Sequence, residues 1–119
     1  MKNVVSVNPT DKVDELSLKT RPDLVLVLLG NHFPVEKVQS IRNAGIKTAV
    51  WLTDCPYYFD KTIQYTIEYD FVLTNDYQKF GCKQVYYMPL AVNTGVFRPQ
   101  PVNLSYLSGI CIVATAFHE

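Results

Sequence analysis

The chain lacks a charge excess. Eleven Lys+Arg stand against eleven Asp+Glu, with 2 His, so the formal net charge is zero. A general nucleic-acid binder is therefore not expected, since such domains carry a basic surplus that displaces phosphate counterions. The basic residues are scattered singly. Cysteine is equally sparse. Cys55, Cys82 and Cys111 are odd in number, and no pair has CxxC spacing. They form no disulfide framework and are expected to be buried free thiols in a reducing cytosol. Long apolar runs are missing too. The longest, Leu24 to Leu29, has six residues, against the ~20 that span a bilayer. The N-terminal stretch meets acids too soon for a signal peptide. A soluble, cytoplasmic protein with no membrane span is expected.

Catalytic signatures are missing as well. There is no GxGxxG, no Walker phosphate loop, no GxSxG elbow and no HExxH. His32 and His118 lie far apart, without metal-ligand partners at usual spacing, so no metal site is expected. What is present is core. The 119 residues are 48% hydrophobic and 13% aromatic. A chain of this length buries roughly two-thirds of its unfolded surface. Disorder is excluded by the apolar content and the absence of net charge.

The residues alternate between strand and helix signals. Val4 to Val7 is a short β-branched segment, a candidate strand. Thr10 offers an N-cap for a helix over 11–19, with Val13, Leu16 and Leu18 as its apolar face and Arg21-Pro22 as its stop. Residues 23–30 form the clearest strand, apolar without alternation from Leu24 to Leu29, the pattern of a strand covered on both faces. Asn31 and His32 turn the chain into a helix over 34–43, with Pro34 in the first turn and Gly45 after the end. Residues 46–53 form the next strand, and Asp60 caps a helix over 61–69. Residues 71–74 make a strand, 76–80 a helical turn closed by Gly81, and 84–88 a strand stopped by Pro89. Residues 93–105 read as a linker, and 109–114 as one more apolar strand. This order predicts an α/β fold: a Rossmann-like three-layer sandwich with a mainly parallel sheet and right-handed crossovers. In such folds ligands bind beyond the carboxyl ends of the strands.

Those ends carry the candidate residues. Asn31 and His32 sit on a strand-to-helix turn, where His32 can serve as a base. Asp54 can accept paired sugar hydroxyls, and the rings of Tyr57, Tyr58 and Phe59 can stack on a sugar's C–H face. Asn75 repeats the pattern at the next strand end. Each has a plainer reading, as a turn former, cap or local core residue. Cys55 lies on the same edge without a neighbouring base.

Residues 85–99, VYYMPLAVNTGVFRP, resemble the domain junction of two-domain, GT-B-type glycosyltransferases. Residues 108–119, SGICIVATAFHE, look like the first strand and loop of a second domain. Together with WLTDCPYYFD at 51–60 and YDFVLTND at 69–76, the set resembles the CgeB-like spore maturation family, whose members are glycosyltransferase-like. The pattern is altered at Cys55, where an acid is usual, and at Ala114, where Gly is usual.

The resemblance implies an N-terminal, acceptor-side domain over 1–105 and the start of a second domain over 106–119. It implies a parent that is a glycosyltransferase with a nucleotide sugar as donor, and a fragment that is inactive alone and holds no cofactor. Its partners would be the parent's C-terminal nucleotide-sugar-binding domain and a sugar or glycan acceptor. On this reading His32 and Asp54 are candidate catalytic bases, and Asn31, Tyr57, Asn75 and Asn93 contact substrate. The apolar strand at 110–114 would pack on the domain, remain disordered or pair two copies as a homodimer. A cytoplasmic, spore-associated protein is implied. The alternatives are a non-catalytic Rossmann-like binding or assembly module that uses the aromatic loop, and a flavodoxin-like regulatory domain. The latter lacks a phosphate loop and an acidic cluster for Mg²⁺.

Overall fold

The structure is a computed structural model that describes residues 3–8, 11–54, 59–76, 84–101, 103–106 and 108–110. Helix α1 spans Val13–Thr20, with Asp14 and Glu15 in its first turn and Lys19 in its last, matching the helix dipole. Val13 and Ser17 face inward, one turn apart, and the Ser17 hydroxyl donates to the Val13 carbonyl at 2.6 Å. Leu16 and Leu18 point outward, 38% and 40% exposed, against the expected apolar face. The buried stripe follows the i, i+4 pair at 13 and 17. Arg21 ends the helix at φ 50, and its Nη1 donates to the Ala44 carbonyl at 2.7 Å.

Four strands follow: β1 (Leu24–Leu28), β2 (Lys47–Leu52), β3 (Phe71–Thr74) and β4 (Val85–Tyr87). They pair in the order β1-β2-β3-β4, and every pair is parallel. Helix α2 (Val35–Asn43) joins the first two, and α3 (Phe59–Thr66) joins the next two. Pro34 stands just before α2, and its carbonyl accepts the first helical bonds. Gly45, at φ 80, closes α2 by a Schellman pattern: its N–H reaches the Arg42 carbonyl, and the Ile46 N–H reaches that of Ile41. α3 begins earlier than expected, so Asp60 lies inside its first turn rather than at its cap.

The register assigns side chains to faces. Val27, Val50 and Val72 share one face, because Val27 pairs with Val50 and Val50 with Val72. That face meets Val13 of α1, Val38 and Ile41 of α2 and Tyr65 of α3, with Phe33, Ile46, Leu52 and Tyr69 completing the core. Successive right-handed crossovers in one direction along a sheet place their helices on one side. The other face bears Leu24, Leu26 and Leu28, which are 47%, 46% and 61% exposed. The expectation that this leucine-rich strand is covered on both faces is therefore corrected: among the described residues helices cover one.

The N-terminal expectation fails as well. Val4 to Val7 forms no strand, and Val4 is 90% exposed, because none of the described residues pairs with it. The Thr10 cap and most of the 76–80 turn lie outside the described residues. So do positions 111–114 of the last expected strand. Gly109 and Ile110 are not in a strand. Residues 89–101 are exposed and irregular, with one turn around Asn93. A single short 3-10 turn follows at Leu104–Tyr106.

Candidate functional site

The chain turns sharply at the end of β1. Leu29 and Gly30 both have positive φ, 65 and 78. The Leu29 N–H continues the ladder to the Trp51 carbonyl at 2.8 Å, and the Gly30 N–H folds back to the Leu28 carbonyl. Gly30 is required here for two reasons. L side chains rarely adopt its backbone conformation. A Cβ would also lie 2.8 Å from Tyr65 Cε2 and 3.0 Å from Val50 Cγ2. The Tyr65 hydroxyl donates to the Leu29 carbonyl at 2.7 Å, tying the turn to α3.

This packing leaves a cleft of about 200 Å³ at the carboxyl edge of β1 and β2. It is lined by Leu29, Asn31, Leu52, Asp54, Lys61, Thr62 and Tyr65. Asn31 and Asp54, on separate loops, meet here. Thr53 Oγ1 donates to Asp54 Oδ1 at 3.2 Å and orients the carboxylate. The floor is apolar through Leu29 and Leu52, while an amide, a carboxylate, an ammonium and two hydroxyl-bearing side chains ring it. Such a mixture suits a ligand with apolar C–H faces and many hydroxyls.

The remaining candidates fall elsewhere. His32 is exposed on the same turn but does not line the cleft. Asn75 follows β3, half-buried, beyond the lining residues. Asn93 is spent on its own turn, where its Oδ1 accepts the Gly95 N–H at 3.0 Å. Tyr57 and Tyr58 lie outside the described residues, as does the Phe59 side chain. Lys61, Thr62 and Tyr65 were not anticipated. Their signal is the spacing of 61 and 65, one helical turn apart on the helix that leaves the Asp54 loop.

A larger cavity, about 450 Å³, opens at the opposite, amino edge, lined in part by Gln39, Arg42, Lys47, Glu68 and Asp70. Its polar groups serve the fold. Asp70 Oδ2 accepts the Thr48 N–H at 2.9 Å and the Thr48 hydroxyl at 3.2 Å. Arg42 donates to the Glu68 carbonyl at 2.8 Å and lies 3.4 Å from Asp70 Oδ1. Gln39 donates to Glu68 at 3.2 Å. These bonds brace α2 and β2 against the start of β3.

The chain is similar to Spore protein CgeB of Bacillus subtilis (strain 168). The two are 31% identical over 99 residues, which is 78% of this chain and 31% of CgeB. The chain thus spans about a third of the length of CgeB. This supports a CgeB-related family, in keeping with the sequence resemblance. No family model matches the chain, and no solved structure does. Among the described residues no helix is long and apolar enough to cross a membrane.

Proposed function

We propose that this chain forms the acceptor-side, Rossmann-like domain of a CgeB-like, glycosyltransferase-like protein of GT-B type that acts in spore maturation. The observation that carries the reading is the meeting of Asn31 and Asp54 in one cleft at the carboxyl edge of a parallel sheet. Similarity to a protein named for the spore supports the biological setting.

In this reading the cleft receives a sugar or glycan acceptor. Asp54 takes the proton from the acceptor hydroxyl as that oxygen attacks the anomeric carbon of the donor. The glycosidic bond forms, the bond to the nucleoside diphosphate breaks, and the diphosphate leaves with its electron pair. Thr53 holds the carboxylate, and Asn31 and Lys61 orient neighbouring hydroxyls. His32, on the rim of the same turn, is the second candidate base. The donor nucleotide sugar belongs to a C-terminal domain of the parent. The fragment alone binds and does not transfer, and its setting is the cytoplasm of the sporulating cell.

The test is saturation-transfer NMR with a panel of free monosaccharides and short glycans, comparing the wild-type chain with Asp54→Asn. Asp54 is exposed, so the variant should melt as the wild type does. Loss of a charged hydrogen bond should weaken sugar binding about tenfold, roughly 1.4 kcal/mol. Equal binding by both proteins would refute the role of the cleft.

A further inference from the structure

Strand β1 pairs with β2 and stands at the end of the strand order among the described residues. Its other edge is open. The Leu29 N–H reaches the Trp51 carbonyl of β2. Backbone groups at odd positions therefore face β2, and those of Leu24, Leu26 and Leu28 face the open edge. The Leu28 carbonyl already accepts the Gly30 N–H, and a carbonyl has room for a second bond. The described N-terminal residues do not pack on this edge: Val4 and Val5 are 90% and 76% exposed.

Natural sheets blunt an open edge with charge, proline or a bulge, because it is a template for another strand. β1 reads Leu-Val-Leu-Val-Leu and carries none of these. Its leucines are half-exposed on the sheet face away from the helices. The strand is also symmetric about Leu26. A two-fold axis perpendicular to the sheet at Leu26 sets β1 antiparallel to β1 of a second copy. Leu26 then faces Leu26 of the second copy, Leu24 faces its Leu28, and Leu28 faces its Leu24. These are hydrogen-bonded pairs, in which each residue both donates and accepts. Every outward-facing backbone group of the strand finds a partner.

Charge permits the same arrangement. The chain has no net charge, so two copies do not repel at long range. Asp23 is the charged residue that adjoins the strand. In the pair its two copies stand on opposite sides of the axis, about 20 Å apart, well beyond the Debye length of about 8 Å at physiological salt. We infer that the open edge of β1 is an interaction surface for a second copy of this chain. Antiparallel β1 pairing centred on Leu26 joins the two sheets into one of eight strands, four from each copy. The carboxyl ends of the two strand sets then point opposite ways, so the two clefts open at opposite ends of the joined sheet. The inference is independent of what the cleft binds.

A five-residue edge with half-exposed leucines buries less than the ~1,200 Å² at which stable interfaces begin. Association is therefore weak, with a dissociation constant of roughly 0.1 mM. Sedimentation equilibrium of the whole chain up to about 1 mM measures it. Leu26 sits on the axis, so a substitution there meets its own copy. Leu26→Lys and Leu26→Glu each set like charges opposite one another and should associate at least about tenfold more weakly. An equimolar mixture of the two sets Lys against Glu and should restore association to within about threefold of wild type. Leu26 is half-exposed, so both variants should keep the wild-type fold, which thermal melts check. A further protein lacks residues 1–8.

Weakening by each variant and rescue by their mixture support both the surface and its register. A wild-type chain that stays monomeric at about 1 mM overturns the inference. So does a dimer that neither variant weakens, because its interface lies elsewhere. A mixture that associates no better than its components overturns the pairing centred on Leu26. A chain that is monomeric until residues 1–8 are removed, and dimeric thereafter, shows that its own N-terminal arm occupies the edge and also overturns the inference.

Discussion

Tyr69 shows how one atom can be at odds with its surroundings. The ring is 3% exposed and fills the core, yet its hydroxyl is buried without a hydrogen-bond partner among the described residues. Burial, and then the nearby Tyr65, push its pKa above the ordinary tyrosine value of about 10. The folded state therefore holds this proton more tightly than the unfolded chain does. Its contribution to stability is complete below about pH 10 and is lost as the pH rises from there through the folded value. Tyr69→Phe should leave stability at neutral pH unchanged or raise it by up to about 1 kcal/mol, since an unpaired hydroxyl is removed. The variant should also resist alkaline unfolding better. Urea denaturation between about pH 9 and pH 12 checks both points. At this scale the sequence was only partly legible. Asn31 and Asp54 stand out because they follow apolar strands. Lys61, Thr62 and Tyr65 do not, because their roles depend on where α3 docks. Trp51 looked like an ordinary strand residue, and only the register pairs it with Leu73.

At the scale of elements, the two positive-φ glycines separate backbone freedom from close packing. Gly45 has nothing within 4 Å of an added Cβ, whereas at Gly30 the Tyr65 ring stands 2.8 Å away. Gly45→Ala should cost about 1 kcal/mol from conformation alone. Gly30→Ala carries that cost plus a clash with Tyr65 and Val50, and should cost about 2 kcal/mol or more. Thermal melts of the two variants measure the difference. The elements themselves were largely visible in the chain. β3 falls at the residues that its apolar run marks, and α2 and β2 match within a residue or so. Pro34 and Gly45 bracket α2 through local backbone chemistry that the residue types declare. Val4 to Val7 misled because β-branching signals a strand only when a partner is at hand.

The whole molecule is asymmetric about its sheet. An apolar run cannot reveal which strand lies at an edge or which face the crossovers cover, so β1 looked like a doubly buried strand. In the structure Leu26 is 46% exposed, while Ile41, on the covered side, is fully buried. Ile41→Ala should destabilise by about 2–5 kcal/mol. Leu26→Ala should cost about 1 kcal/mol or less, because half of its surface already meets water. Equal losses in denaturant unfolding would mean that the open face is covered in solution.

The two edges of the sheet differ in the same way. The amino edge has the larger cavity, but its charges are committed to one another. The carboxyl edge has the smaller cleft, with Asn31, Asp54 and Lys61 turned to it. The most direct measurement is therefore a map of amide shifts across the labelled chain as short glycans are added. Shifts gathered at Asn31, Asp54, Lys61 and Thr62, with Gln39, Arg42 and Lys47 still, are the expected result. Shifts centred on Arg42 and Lys47, or none anywhere at millimolar glycan, would contradict a sugar-binding carboxyl edge.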